Sequence, residues 1–171
     1  MDKRMFLLVP MVLGMACAST LPPETKAAEV ERLQCGGATA EAEDLRVLTD
    51  AKVIEARPLY SHVITGNNGL EERVDGTKLV IRPPEGISPE RMTRILQCHS
   101  ARALLGQVDR AKFPDDPFWL PDTWVSIEVK PDNGNYAVTL EANDIPTNLK
   151  LAARAKAYAQ AHPLDGTPSV Q

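Results

Sequence analysis

The chain has 171 residues and a formal net charge of −4, with 25% charged and 43% hydrophobic residues. This length and composition are ordinary for one globular domain with short extensions. An acidic chain without a basic run is a poor nucleic-acid binder, so we expect no nucleic-acid partner.

Residues 1–18 have the pattern of a bacterial signal peptide. Lys3 and Arg4 form a basic start, and residues 5–16 are an apolar run of twelve. That run is too short to span a membrane and suits the core of a signal peptide. Removal of this peptide takes away Asp2, Lys3 and Arg4. The mature chain then has 17 basic and 22 acidic residues, a net charge of −5.

Two cleavage sites compete at the end of this peptide. The segment LGMAC, residues 13–17, resembles a bacterial lipobox, which makes Cys17 a candidate lipidation site and the first mature residue. Residues 16–18 also fit the small-x-small pattern of ordinary signal peptidase, which would yield a soluble periplasmic or secreted protein. We favour lipidation, because residues 19–23 suit a tether. Ala18 is not the aspartate that retains lipoproteins on the inner membrane, so we expect an outer-membrane lipoprotein facing the periplasm.

The sequence predicts two short helices, residues 24–34 and a segment from Thr39 to about Leu48, which are separated by Gly36 and Gly37. Their apolar edges are thin. We therefore expect a helical arm that needs an anchor to the main domain.

From Ala51 the pattern predicts strand–strand–helix–strand–strand–helix within a single domain, residues 24–161, followed by a disordered tail, residues 162–171. We expect a two-layer α+β sandwich with a four-stranded, mostly antiparallel sheet and two helices on one face. The four predicted strands are residues 53–64 with a break or bulge at Pro58, 77–82 with 70–74 as a candidate extension, 123–130 and 136–142. The first helix of this pattern is residues 88–107. The last begins at Asp144 or Thr147 and ends at about Ala161, with Ile145, Leu149, Ala152 and Ala153 inward.

Residues 88–107 give the clearest helix signal. Ser88 is a good N-cap, Pro89 suits the first helical position, and Gly106 suits the end. Helical spacing puts His99 on the core stripe and Cys98 at its margin. The core stripe consists of Met92, Ile95, Leu96, His99 and Ala103.

Cys35 and Cys98 remain if Cys17 is lipidated or removed. An even pair in an exported protein predicts a disulfide, which would tie the helical arm to the main domain. Two reduced structural thiols, or a metal site shared with a histidine, are the alternatives. No CxxC or HxxxH spacing supports the metal site, and we assign no metal or cofactor.

Cys98 and His99 do not suit a nucleophile–base pair, because adjacent helical side chains diverge by about 100°. A base for Cys98 would have to be distant, such as His62. We expect His99 to be a core histidine bonded to the backbone or to a buried carboxylate. The acidic pair Asp115-Asp116 is interpreted as solvated surface, and no catalytic motif is found.

The loop around residues 111–124 is dense in proline and aromatic residues. Exposed aromatics of this kind suit contacts with a protein or a glycan. The alternative is that Phe118 and Trp119 fold back over the sheet. The candidate binding residues are Phe113, Phe118, Trp119 and Trp124.

Two short motifs each contain one cysteine. One is ERLQCG, residues 31–36, which comes near the mature start. The other is QCHSAR, residues 97–102, which comes after the segment PEGIS, residues 84–88. In these motifs the chain resembles uncharacterised exported (lipo)proteins of proteobacteria and myxobacteria that carry a Cys-Gly segment and a Cys-His helix. The resemblance covers residues 24–161. It implies export and a compact α/β-type domain, and it carries over no active site.

Together these features predict a non-enzymatic, lipid-anchored envelope protein that serves as a structural or interaction module. The alternative is a periplasmic binder of a small molecule, metal or glycan that uses the aromatic loop, His62 or His99. The sequence leaves the oligomeric state open.

Overall fold

The computed structural model describes residues 21–36, 38–65, 69–109, 111, 113 and 115–164. The predicted signal peptide with Cys17, the first residues of the tether and residues 165–171 of the predicted tail lie outside the described residues. None of the described helices is both long and apolar enough to cross a membrane. The elements are α1 (Pro23–Gln34), α2 (Ala38–Thr49), β1 (Val53–Thr65), β2 (Gly69–Ile81), α3 (Pro89–Leu104), β3 (Ser126–Asp132), β4 (Asn135–Glu141) and α4 (Ile145–Ala161).

The four strands form one antiparallel sheet in the order β1-β2-β4-β3. This confirms the predicted α+β fold. The β3–β4 hairpin turns at Asn133 and Gly134, whose φ angles of 50° and 81° are the ones that an Asn-Gly turn supplies at low cost.

The core lies between one face of the sheet and the helices. Leu79, Val138 and Val129 are directly opposite one another across β2, β4 and β3, and all three belong to the buried cluster. Ile95 of α3 and Leu151 of α4 are fully buried in the same cluster. Each such side chain stabilises the fold by about 1.5–3 kcal/mol relative to exposure.

The helix α3 follows its sequence signals. The hydroxyl of Ser88 accepts a hydrogen bond from the Arg91 amide at 3.3 Å, and Gly106 ends the helix with a φ of 71°. The predicted core stripe is buried. Ser100, which is not part of the predicted stripe, is also buried, because helical spacing places it next to Leu96 and Ala103.

The predicted inner face of α4 is wrong by about one residue. Ile145 and Leu149 are 39% and 52% exposed, whereas the buried residues are Asn148, Leu151, Ala155 and Tyr158. Hydrogen bonds explain the difference. The Asn148 side chain accepts from the Ala142 amide at 2.8 Å and donates to the Ala142 carbonyl at 3.2 Å, so a polar residue is satisfied inside.

β1 and β2 are longer than the rest of the sheet. β4 pairs only with residues 77–81 of β2, whereas β1 and β2 pair with each other over their whole length. A Cβ on Gly76 would lie 2.6 Å from the Leu140 carbonyl oxygen, so glycine permits the close approach where β2 leaves β4. We call the two-stranded part beyond it, residues 60–65 and 69–74, the distal ribbon.

Candidate functional site

The predicted disulfide between Cys35 and Cys98 is present, with a Cα–Cα distance of 5.6 Å. Cys35 follows the last residue of α1, and Cys98 is a buried residue of α3, so the bond joins the helical arm to the main domain. The sulfur atoms are bonded to each other. Neither cysteine therefore provides a free thiolate for catalysis or metal binding.

Arg102 strengthens the same junction. Its guanidinium donates to the Gly36 carbonyl at 2.7 Å and pairs with the Glu31 carboxylate at 3.1 Å. Arg102 is only 4% exposed, and an arginine buried to this extent needs such partners. α1 is thus held to α3 by a covalent bond and by a buried charge.

His99 is a core histidine, as expected, and its partner is a buried carboxylate. Its Nε2 contacts Oδ2 of Asp116, and Oδ1 of Asp116 accepts a hydrogen bond from the Phe118 amide at 2.8 Å. The interpretation of Asp116 as solvated surface is therefore wrong, since the residue is 2% exposed. The sequence did contain a signal for a bonded Asp116, because an aspartate in a turn commonly accepts a hydrogen bond from the amide two residues further on, which here is that of Phe118.

The four candidate aromatic residues do not form one exposed surface. Phe118 and Trp119 are 2% and 6% exposed, which corrects their assignment as exposed binding residues and matches the alternative in which they fold back. Phe118 packs edge-on against Tyr158, and the Arg154 guanidinium lies 5.5 Å from the Trp119 ring.

Phe113 and Trp124 are half-buried at separate places. The Phe113 ring meets the His99 ring edge-on at 5.6 Å. Trp124 lies under the Lys26 ammonium of α1, 4.9 Å from its ring centre. Both residues border cavities: Trp124 lines an open one with Lys26 and Glu141, and Phe113 lines a more apolar one with Tyr158 and His162.

The cavity at Phe113 has a volume of about 420 Å³, within the range of small-ligand sites. The Tyr158 hydroxyl donates to the Leu48 carbonyl at 2.8 Å, and the His162 ring stacks on the Tyr158 ring at 4.0 Å. Burial, followed by the nearby Asp116 charge, raises the pKa of Tyr158, so its hydroxyl stays neutral. The lining residues are Thr49, Phe113, Asp115, Asp116, Tyr158, Ala161 and His162.

The distal ribbon presents the largest exposed apolar side chains of the sheet. Ile64 and Leu70 form a cross-strand pair and are 78% and 74% exposed, and Tyr60, opposite Val74, is 53% exposed. By their register these four residues share one face of the ribbon. His62 is exposed on the same face, opposite Glu72.

The first turn of α4 lies at the root of the ribbon. The Asn148 amide donates to the Val74 carbonyl at 3.5 Å, and the exposed Ile145 and Leu149 belong to this part of the helix. Ile145 and Leu149, two of the helix residues expected to be inside, are thus exposed at the end of α4 that contacts β2. Sequence reasoning did not single out this exposed part of the helix because it assigned Ile145 and Leu149 to the core.

No set of three or more histidine, cysteine or acidic side chains within the described part of the chain could hold a metal ion. The chain matched no protein-family model, no curated protein and no solved structure.

Proposed function

We propose that the protein is an exported, lipid-anchored envelope protein whose α+β domain is an interaction module. The observation that carries this proposal is the apolar face of the distal ribbon. Exposed apolar side chains grouped on one face are typical of surfaces that bind another protein. Here they project from the sheet on a ribbon that contributes little to the core.

The sequence supports the cellular side of the proposal. The apolar segment that ends at Cys17 resembles a lipoprotein signal, and the tether after it would separate the domain from the membrane. The Cys35–Cys98 disulfide suits an oxidising compartment such as the periplasm.

Intact-mass analysis of the native protein, with and without reductant, tests export and anchoring. We expect an acylated chain that begins at Cys17 and gains the mass of two hydrogen atoms on reduction of the disulfide. Cys17→Ser is the control and should lack the acyl mass. An unacylated mature chain that begins after Cys17, or an uncleaved precursor, would contradict the anchor.

A photo-crosslinking residue placed at Ile64 in the producing bacterium tests the interaction role. The matched control is the same residue at Lys130, whose side chain is 68% exposed on β3, away from the ribbon. We expect protein adducts from position 64 and few from position 130. Equal yields at the two positions would remove the support for the ribbon as a binding surface.

The cavity beside Phe113 favours a second candidate function, the binding of a small molecule with an apolar body. Its walls include the rings of Phe113, Tyr158 and His162, and Asp116 supplies a buried carboxylate. A few polar groups in a mostly apolar cavity are the usual arrangement of a ligand site.

The neutral fluorescent probe N-phenylnaphthylamine tests this second function. Ala161→Trp should fill the cavity and reduce the probe's fluorescence enhancement. Ala153→Trp is the control, because Ala153 is exposed on the same helix and does not line the cavity. Equal enhancement in both variants would place the probe elsewhere and count against the cavity as a site.

A further inference from the structure

The distal part of β1 has an open edge. β1 is the first strand of the sheet order, so β2 is its ladder partner on one side. On the other side, among the described residues, the Val53–Pro163 bridge covers only the start of the strand. Unpaired edges of long strands are templates for pairing with another chain, and proteins commonly protect them with charged residues or proline.

Pro58 indicates which backbone groups face this edge. Proline has no N–H, so within a sheet its nitrogen belongs on the side without a ladder partner. The backbone groups of successive strand residues point to alternate sides. The register shift near residue 59 leaves β1 continuous, because the additional residue, Asp75, is on β2. The N–H and C=O groups of Tyr60, His62 and Ile64 are therefore assigned to the open edge.

The same segment lacks the charges that would prevent self-pairing. No lysine, arginine, aspartate or glutamate occurs in residues 58–65, although the whole chain has a net charge of −4. Two copies can therefore meet along this strand without opposing charged side chains on the paired strands. The segment has no charged side chain that would attract an oppositely charged strand, and this favours a second copy over a charged partner.

We propose that two copies of the chain pair antiparallel through residues 60–64 of β1, with His62 at the two-fold axis. This places Tyr60 opposite Ile64 of the partner subunit, an aromatic–β-branched pair of the kind that stabilises sheets. It also makes Tyr60, His62 and Ile64 the hydrogen-bonded positions, in agreement with the direction assigned from Pro58. The result is a continuous eight-stranded sheet made by an isologous contact.

The apolar pairs of the ribbon are extended across the dimer. In each copy Leu70 lies beside Ile64 and Val74 lies beside Tyr60, on the same face. Pairing of the two β1 strands brings Ile64 of one copy next to Tyr60 of the other. The exposed residues thus form two apolar rows, each of which crosses four strands, on either side of a central row made by His62 and Glu72 of both copies. The proposal gives the interaction module a second copy as its partner.

Cysteine crosslinking of the full chain, purified in detergent from the producing cells, tests the register. In a hydrogen-bonded antiparallel pair, opposite Cα atoms lie about 5.5 Å apart, within the range of a disulfide. His62→Cys should therefore give at least about tenfold more crosslinked dimer than Glu71→Cys, an exposed control on β2. Mixed Tyr60→Cys and Ile64→Cys proteins should crosslink more than either protein alone.

A backbone variant tests the edge itself. His62→Pro removes an N–H that faces the open edge, so it should convert the dimer to a monomer in analytical ultracentrifugation while the folded circular-dichroism spectrum is kept. Ser61→Pro removes an N–H from the β1–β2 ladder and should instead lower the unfolding midpoint. A dimer that survives His62→Pro in folded form would overturn the proposal.

This inference rests on the proposed interaction role, and the two can fail separately. A chain that is still monomeric at about 0.1 mM in analytical ultracentrifugation overturns the dimer. A specific dimer would have a dissociation constant below this concentration and would therefore be populated. If position 64 still crosslinks to a different protein in cells, the interaction role stands and its partner is not a second copy.

Discussion

The junction of α1 with α3 and the distal ribbon differ in how they treat the side chains between their elements. At the junction a disulfide and the ion pair of the buried Arg102 with Glu31 hold the two helices together. On the ribbon, Ile64 and Leu70 are mostly exposed and only two strands support each other. Large apolar side chains are costly to leave in water, so the comparison assigns stability to the junction and is the basis of the recognition role that we propose for the ribbon.

The largest expected effect is the loss of the disulfide. Cys98→Ala should lower the free energy of unfolding by about 4 kcal/mol, because the bond closes a loop of 63 residues in the unfolded chain. Urea unfolding measures the change. Cys35→Ala should give a similar loss, and the double variant should not add to it. A loss below about 1 kcal/mol would show that the junction is not the stabilising region.

Removal of the Asp116 carboxylate comes next. Asp116→Ala should cost about 3 kcal/mol, because it leaves His99 and the Phe118 amide buried without their partner. Asp115→Ala is the matched control, since Asp115 is the exposed neighbour and its loss should stay within about 0.5 kcal/mol. Thermal unfolding of both variants makes the comparison, and equal losses would refute the buried role of Asp116.

A smaller effect is expected at the start of α4. Asn148→Ala should cost about 2 kcal/mol, because the Ala142 amide and carbonyl lose their partner in a buried place. Leu149→Ala, one residue further on, should cost less than about 1 kcal/mol because the leucine is 52% exposed. A larger loss for Leu149→Ala than for Asn148→Ala in chemical denaturation would instead support the inner face that the sequence pattern predicted.

Acid should weaken the fold through exposed carboxylates. The Thr147 side chain and amide hold the pKa of Asp144 below 3.8, and the Lys78 ammonium does the same for the pKa of Asp132. A lowered folded pKa gives stability that is present above the unfolded value and lost as the pH falls below about 4 towards the folded value. Asp132→Asn and Lys78→Gln should each flatten the acid limb of the stability profile, and the double variant should flatten it no further.

The smallest effect on stability is expected on the ribbon. Ile64→Ser with Leu70→Ser should change the free energy of unfolding by no more than about 0.5 kcal/mol when measured on the monomer. Their exposure leaves little burial to lose. A loss of several kcal/mol would mean that the ribbon is part of the core, and the comparison with the junction would fail.

The α+β order and α3 could be predicted because their signals are local. Ser88, Pro89 and Gly106 mark the ends of α3, and alternating residues such as Val129 and Val138 mark strands that have one buried face. The Cys35–Cys98 bond followed from counting cysteines in a chain with a signal-like start. These inferences need no knowledge of which segments meet.

The tertiary structure decided which faces are buried. Asp116 is inside because His99 and the Phe118 amide satisfy it, and Asn148 is inside because Ala142 does. The spacing of hydrophobic residues does not reveal such hydrogen-bond partners, since they are backbone groups or side chains of other segments. Leu149 is exposed for the complementary reason, because Asn148 occupies the direction that faces the sheet. The ribbon, too, depends on β4 ending its pairing at Thr77, and that is a property of the assembled sheet.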